Sequence, residues 1–385
     1  MNKKKLAIIA TSPLVVKHHL HSIIDSLNQQ YSIVVMINMS ESIESIQGLP
    51  EGVKYLDTKM ERKINLFADI KTVFLLYRFL KKESISIVYT VSPKAGFLGI
   101  CVSRILQVPI RIHTFTGQVW RTKTGPIKLL LKILDKAIYQ FSSKVIVDSQ
   151  SQKLFLIEQN IICEERSIVI GSGSLGGVDT KLFSPNESSR TEIRKNLSIG
   201  SDDIVFLFIG RLNIDKGIIE LIKAYYQTTK QCRNTFLILV GPIETDVAQL
   251  HDLIRKLNID SIIFLPYTQA PETFMAASDI FCLPSYREGF GTVIIESAAC
   301  GIPSVGSRIY GLTDAIIDQE TGFLVEVGDI DGLSEKMTLL ASDTELRKRL
   351  GNMAMHRARS SFGQEKVVQG LLDFIDKEVK TYLNS

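Results

Sequence analysis

The feature that most constrains the fold is a regular alternation of short apolar runs with longer amphipathic stretches along the 385 residues. The runs are rich in Val, Ile and Leu, apolar on both faces, and separated by segments of helical period. Such runs are typical of parallel strands covered by helices on both sides. We therefore predict strands at residues 6–10, 32–37, 86–90, 110–114, 144–149, 167–171, 204–210, 235–241, 262–266, 280–284, 303–307 and 322–326.

A polar stretch over residues 184–203 interrupts this alternation, and the same pattern then begins again. The chain is also too long for one ordinary core, and its 45% apolar content is enough to bury two. The predicted fold is α/β, with two Rossmann-like, doubly wound domains facing across a cleft. We predict that the domains span 1–185 and 186–362, and that a C-terminal helix over 363–385 packs toward the first domain.

The second predicted domain carries two glutamates around a glycine-rich turn, in "PSYREGFGTVIIESAACGIPSVG" at residues 284–306. A predicted strand ends at residue 284, so Glu288 falls in a strand-to-helix loop. Glu296 lies about one and a half turns into the following helix. Gly289 and Gly291 allow the backbone to approach a ligand closely. Ligands of doubly wound sheets bind at the carboxyl ends of the strands, so this loop is a candidate site.

The start of the helix after this loop predicts a phosphate site. Free N–H groups near Thr292 and Val293, following Phe290, face an anion at a helix N-terminus. Glu288 can accept hydrogen bonds from sugar hydroxyls, and Glu296 from a ribose diol. Together these contacts describe a nucleotide sugar. The alternative is that both glutamates are solvated residues near a helix end.

Two cations follow the first strand of the second predicted domain, in "IVFLFIGRLNIDKGIIELIKAY". Arg211 and Lys216 lie between this strand and a helix, where two cations form a clamp for a diphosphate. The arginine can bind two oxygens at once, and the lysine acts as a point charge. The alternative is a pair of surface cations beside a turn.

The segment "EGFGTVIIESAACGIPSVGS" resembles the E-x7-E signature of the retaining glycosyltransferases of family 4, which have the GT-B fold. The order of elements is similar along essentially the whole chain. The resemblance implies that Arg211 and Lys216 hold the donor's diphosphate and that the second domain binds the nucleotide sugar. It also implies that His113, at the end of the run "IRIHT", reaches the donor sugar and its diphosphate. A lone histidine is more often structural, and that alternative stays open.

The stretch "HTFTGQVW" (113–120) is similar to a subgroup that acts on lipid-linked sugars in bacterial surface polysaccharide assembly. This resemblance implies transfer of a hexose or N-acetylhexosamine from a UDP-sugar to a polyprenyl-diphosphate-linked glycan held by the first domain. We expect no cofactor and no metal, because the sequence shows no cluster of metal ligands. The alternatives are a GT-B-type UDP-sugar epimerase and a catalytically inactive nucleotide-sugar-binding regulator.

One predicted helix has a face suited to a membrane. Residues 123–144 combine an apolar stripe with Lys128, Lys132 and Lys136 on another side, a pattern typical of the surface of an anionic bilayer. An ordinary surface helix that packs its apolar side on the sheet is the alternative. A net charge of +4 is too small to indicate nucleic acid. We expect a cytoplasmic protein, peripherally associated with the inner face of the cell membrane, because neither a signal peptide nor a spanning segment is evident.

Overall fold

The structure is a computed structural model that describes residues 3–40, 48–61, 65–244 and 246–384. The chain divides into two compact units. The first combines Met1–Gly177 with Gln364–Ser385, and the second is Val178–Gly363. The domain boundaries predicted from the sequence lie after residues 185 and 362.

In the part of the first unit that the structure describes, the strands form one sheet and pair in parallel, in the order β3-β2-β1-β4-β5-β6-β7. Parallel strands need crossover connections, and helices supply most of them. The strands are β1 (Lys5–Ile9), β2 (Ser32–Ile37), β3 (Lys54–Asp57), β4 (Ile87–Val91), β5 (Ile110–Phe115), β6 (Lys144–Val147) and β7 (Ser167–Ile168).

The helices of the first unit cover both faces of its sheet. Helix α1 has three parts, Pro13–Val15, a π-helical turn at Val16–Leu20, and His21–Gln30. The others are α2 (Leu66–Lys82), α3 (Pro93–Ile105), α4 (Gly125–Phe141), α5 (Gln150–Glu158) and the C-terminal helix, whose range is Gln364–Leu383. Helix α1 and the C-terminal helix bury their apolar sides on one face of the sheet, while α2, α3 and α4 cover the other.

The described residues of the second unit repeat this architecture with six strands, which pair with one another only in parallel, in the order β10-β9-β8-β11-β12-β13. The strands are β8 (Ile204–Ile209), β9 (Thr235–Val240), β10 (Ile262–Leu265), β11 (Ile280–Leu283), β12 (Ser304–Ser307) and β13 (Gly322–Val325). Its helices are α6 (Glu187–Asn196), α7 (Ile218–Thr229), α8 (Val247–Leu257), α9 (Pro271–Ala277), α10 (Thr292–Ala299), α11 (Leu312–Ala315), α12 (Ile330–Ser342) and α13 (Thr344–Phe362). The helix over Gln364–Leu383 is accordingly α14.

The two doubly wound units confirm the predicted fold class, and three local predictions need correction. Strand β3 was not predicted, because it has no fully buried residue and so lacks an apolar run. The predicted strand at 167–171 is shorter, since only two residues pair with β6. The predicted helix over 123–144 ends at Phe141, because Ser142 takes an extended conformation and Lys144 pairs with β5.

Candidate active site

The candidate site lies in the second unit, where the strand order of its sheet reverses. Strand β8 pairs with β9 on one side and with β11 on the other, so the loops that follow β8 and β11 leave the sheet side by side. In doubly wound sheets this switch point is where ligands bind. Arg211 and Lys216 lie in the first of these loops, and Glu288 lies in the second.

Close backbone contact holds the two loops together. Gly217 lies between a short 3-10 turn at Ile214–Lys216 and helix α7, with a left-handed φ of +70°. A Cβ atom at this position would lie 2.1 Å from the carbonyl oxygen of Pro284, at the start of the other loop. Only glycine permits both this conformation and this approach. The loop that carries Lys216 is therefore fixed against the loop that carries Glu288.

Lys216 and Glu288 form an ion pair with 2.5 Å between Nζ and Oε1. The hydroxyl of Ser285 donates to the same Oε1 at 2.8 Å. The two side chains are only 19% and 12% exposed, so water screens the pair less than it screens a surface pair. The structure thus brings together two residues that the sequence analysis assigned to different parts of the ligand.

Further polar contacts support the same two loops. The guanidinium of Arg287 donates to Asp215 Oδ2 at 3.0 and 3.2 Å, and the N–H of Tyr286 donates to the carbonyl oxygen of Asp215 at 2.9 Å. The hydroxyl of Tyr286 donates to Glu220 Oε1 at 2.8 Å. Burial and this carboxylate raise the pKa of Tyr286 to about 12. None of these four residues was predicted from the sequence, although Asp215 and Arg287 are direct chain neighbours of Lys216 and Glu288.

Arg211 is held by a different partner. Its Nη1 lies 3.0 Å from Glu244 Oε2, and the side-chain amide of Asn213 donates to the same oxygen at 3.0 Å. Glu244 follows β9, so a third strand contributes an acid to this end of the sheet. The predicted pair of cations is therefore present, but each cation has its own carboxylate.

The start of α10 lies directly after the second loop. Gly291 precedes it with a left-handed φ of +82°, and Thr292 and Val293 follow, both half-buried. Phe290 is buried, and its ring packs against Phe362 with 5.2 Å between the ring centroids. Its side chain therefore belongs to the core, and only its peptide groups can contact a ligand at the start of α10.

Glu296 lies further along α10 and is half-buried. Burial raises its pKa to about 7, and the negative charge of Glu272 on α9 adds to the effect. Near neutral pH this carboxyl group is therefore present in both protonation states. When ionised, this carboxylate can accept hydrogen bonds from both hydroxyls of a ribose diol. When protonated, it donates through its O–H and keeps fewer lone pairs for accepting.

His113 lies in the first unit, at the carboxyl end of β5. It is buried, and its Nδ1 lies 2.8 Å from the Oγ1 of Thr90 on β4. Its ring contacts Phe115 edge to face, with 4.6 Å between the ring centroids. Burial lowers its pKa to about 3, so the imidazole is neutral at physiological pH. Among the described residues, no group of three or more His, Cys, Asp or Glu side chains has a geometry that could hold a metal ion.

The fold matches that of known glycosyltransferases. The structure of Anabaena HepE in complex with UDP and glucose superposes with a TM-score of 0.82 at 20% identity, covering 97% of this chain and 100% of that one. That likeness establishes the fold. Two doubly wound units of this kind are the GT-B architecture, and the protein has that fold.

Comparison of the sequence identifies the family. The family model of glycosyl transferases group 1 matches residues 189–357. The capsular polysaccharide biosynthesis glycosyltransferase CapM of Staphylococcus aureus is 30% identical over 313 residues, 81% of this chain and 82% of that protein. The chain belongs to the group 1 glycosyl transferases, which confirms the glycosyltransferase resemblance. An Escherichia coli UDP-Gal:alpha-D-GlcNAc-diphosphoundecaprenol alpha-1,3-galactosyltransferase is 28% identical over 289 residues, 74% of each chain.

Proposed function

We propose that the protein transfers a hexose or N-acetylhexosamine from a UDP-sugar to a polyprenyl-diphosphate-linked glycan, with retention of the anomeric configuration. The product would enter capsule, O-antigen or exopolysaccharide assembly in a bacterium. Family membership supports glycosyl transfer, and the Escherichia coli relative is named for a UDP-sugar donor and a diphosphoundecaprenol-linked acceptor.

The observation that carries the proposal is the Lys216–Glu288 pair at the switch point of the second sheet. In the proposed complex, Lys216 and Arg211 bind the diphosphate, and Glu288 accepts hydrogen bonds from hydroxyls of the transferred sugar. A diphosphate and a sugar are adjacent in a UDP-sugar, and the two side chains are adjacent in the protein. The pair thus matches the junction between the leaving group and the group that is transferred.

The reaction breaks the bond between the anomeric carbon and the diphosphate oxygen, and the bonding electrons leave with UDP. The acceptor hydroxyl oxygen bonds to the same face of that carbon, and its proton passes to the departing phosphate. Lys216 and Arg211 stabilise the charge that develops on UDP, which is the effect that contributes most in such reactions. We propose that their charges and the start of α10 neutralise the diphosphate without a metal ion or a cofactor.

The remaining predicted residues have roles in binding. The peptide groups from Gly289 to Val293 bind phosphate at the start of α10. Glu296 binds the ribose, and the neutral imidazole of His113 contacts the donor sugar. Each of these roles stays a proposal that substitution tests.

Helix α4 supports a further part of the proposal, which is association with the anionic inner face of the cell membrane. Four of its apolar residues are exposed, and three lysines lie beside them: Ile127, Leu129, Leu130, Ile133, Lys128, Lys132 and Lys136. Acceptors with polyprenyl chains reside in membranes, so an enzyme that uses them benefits from such a surface. None of the described helices is both long and apolar enough to cross a bilayer.

The test is release of UDP from a panel of UDP-sugars, with and without a polyprenyl-diphosphate-linked acceptor. We expect acceptor-dependent release with one donor, and a product whose new linkage keeps the donor's anomeric configuration. Conversion of the donor to an isomer without an acceptor would instead establish the epimerase. Binding of UDP without turnover of any donor would indicate a regulator.

A further inference from the structure

The first unit has an unusual concentration of exposed apolar side chains on two of its helices. Eighteen large hydrophobic residues are exposed in the described part of the chain, and eight of them lie on α2 and α4. The α2 stripe is Leu66, Phe67, Ile70 and Phe74, and the α4 stripe is Ile127, Leu129, Leu130 and Ile133. Clustering of this kind marks an interaction surface, whereas single exposed hydrophobic residues are normal.

The two stripes lie at the same end of one helical layer. Helices α2, α3 and α4 each lead to the next strand of a parallel sheet, so all three begin at its carboxyl edge. Both stripes occupy the first nine residues of their helices. Helix α3 packs against both α2 and α4, which puts the axes of α2 and α4 about 20 Å apart. A flat surface can therefore touch both stripes at once.

Positive charge surrounds the stripes, and the nearby carboxylates are turned inward. The α2–α4 layer carries nine lysines and arginines and only two acids, Asp69 and Asp135. Asp69 pairs with Lys94 of α3 at 2.6 Å, and Asp135 accepts a hydrogen bond from Trp120 at 2.7 Å. Both carboxylates are buried or nearly so, at 15% and 6% exposure. The outer side of α2 and α4 therefore presents apolar groups and cations, and neither helix presents an exposed carboxylate.

We propose that the α2 stripe is a second lipid-inserting element, which acts together with α4 to dock the first unit on an anionic bilayer. This inference rests on the proposed association of α4 with the membrane and adds the α2 stripe to it. Phe67 and Phe74 are 83% and 65% exposed, and aromatic side chains of this kind enter the boundary between headgroups and acyl chains. Lys71, Arg78, Lys81 and Lys82 on the same helix face the anionic headgroups.

The test is co-sedimentation of the full chain with vesicles of phosphatidylcholine, with and without phosphatidylglycerol. We expect binding that requires phosphatidylglycerol and weakens at high salt. The double variant Phe67→Ser/Phe74→Ser should lower the partition coefficient by about tenfold or more, because each ring contributes apolar area. Ile105→Ser is the matched control, since Ile105 is 67% exposed at the far end of α3, and it should bind like the wild type.

A second measurement locates the inserted side chain. Trp120 is the only tryptophan and is buried, so a tryptophan introduced at the surface adds a separable signal. Brominated lipids should quench the Phe67→Trp variant and leave the Ile105→Trp variant at the wild-type level. Equal binding by the double variant and the wild type, or equal quenching of the two tryptophan variants, would overturn the proposal. Vesicle binding that does not depend on phosphatidylglycerol would also overturn it. So would the finding that the wild type is a dimer, that the double variant is a monomer, and that the wild type does not bind vesicles.

Transfer activity separates this inference from the proposed function. With a water-soluble, short-chain acceptor the double variant should release UDP at the wild-type rate, because the α2 stripe has no part in the chemistry. Vesicle binding without transfer from any UDP-sugar would refute the proposed function and leave the docking surface intact. Loss of transfer to the soluble acceptor in the double variant would overturn the docking role.

Discussion

The ammonium group of Lys216 lies 2.5 Å from a carboxylate oxygen of Glu288, across two loops that follow neighbouring strands. Each residue is the other's counter-ion, and Ser285 adds a hydrogen bond to the carboxylate. A diphosphate that binds Lys216 must therefore compete with Glu288, or share the lysine with it. This competition makes the two proposed roles separable by substitution.

Glu288→Gln should strengthen the binding of UDP while it weakens transfer. Removal of the negative charge leaves Lys216 to the diphosphate, which we expect to raise UDP affinity about fivefold. Loss of the carboxylate acceptor for the donor sugar should lower kcat/KM by on the order of 100-fold. Calorimetry with UDP and the UDP-release assay measure the two effects, with the exposed Glu320→Gln as control. Weaker UDP binding in Glu288→Gln would contradict competition for Lys216.

Lys216→Ala should weaken the preference for UDP over UMP. A hydrogen bond to a charged group is worth about 1.5–3 kcal/mol, so UDP affinity should fall by at least about tenfold. UMP, which lacks the second phosphate, should lose much less. Lys223 is exposed on α7, and Lys223→Ala should change neither affinity. Equal losses for UDP and UMP would show that Lys216 does not contact the second phosphate.

Much of the fold follows from the sequence because buried parallel strands leave a local signature. Runs such as residues 204–210 are apolar on both faces, and the structure forms β8 there. Strand β3 lies at the sheet edge with half-exposed residues, so it leaves no such signature. Local patterns therefore predict central strands better than edge strands.

The sequence predicts Lys216 and Glu288 as candidate site residues, but it does not predict the contact between them or the residues that support it. Lys216 and Glu288 are 72 positions apart, so no local pattern joins them. They meet because β8 and β11 are neighbours at the switch point. The ion pair can therefore be predicted only when the strand order is known. At Phe290 the local pattern predicts too much. Its glycine-rich context suggests that the side chain contacts a ligand, but the ring packs against Phe362 in the core.

The ionisation of Glu296 should make UDP binding depend on pH. Its pKa is raised to about 7, so the carboxylate that accepts from the ribose diol forms as pH rises through neutrality. We expect UDP affinity to rise by up to about tenfold between about pH 6 and about pH 8. Glu296→Gln should remove this slope. Glu272→Gln should move the midpoint to lower pH, because it removes a negative charge that raises the pKa. An unchanged slope in Glu296→Gln would exclude Glu296 as the titrating group.

Gly217→Ala should destabilise the second unit more than an ordinary glycine replacement does. The new Cβ would collide with the carbonyl oxygen of Pro284 at 2.1 Å and force the two site loops apart. We expect a loss of on the order of 3 kcal/mol in the free energy of unfolding. Gly301 has a similar φ of +82°, but its nearest neighbours lie at 3.8 and 4.0 Å, so Gly301→Ala should cost only about 1 kcal/mol. Equal losses of unfolding free energy in Gly217→Ala and Gly301→Ala would mean that the backbone at residue 217 relaxes to remove the collision without cost.

Asp135 should make the stability of the first unit fall as pH rises toward neutrality. Burial raises its pKa from 3.8 to about 7, against the smaller opposing effect of the hydrogen bond from Trp120. Because the folded pKa lies above the unfolded value, this contribution to stability is complete below about pH 4. It is lost as pH rises through about 7. The amide of Asp135→Asn still accepts from Trp120 and carries no charge. We therefore expect the free energy of unfolding of the variant to exceed that of the wild type by on the order of 2 kcal/mol at about pH 8, with no difference at about pH 4.

Denaturant unfolding followed by the fluorescence of Trp120, the only tryptophan, measures the first unit directly. A difference between variant and wild type that stays constant with pH would show that Asp135 does not titrate in this range.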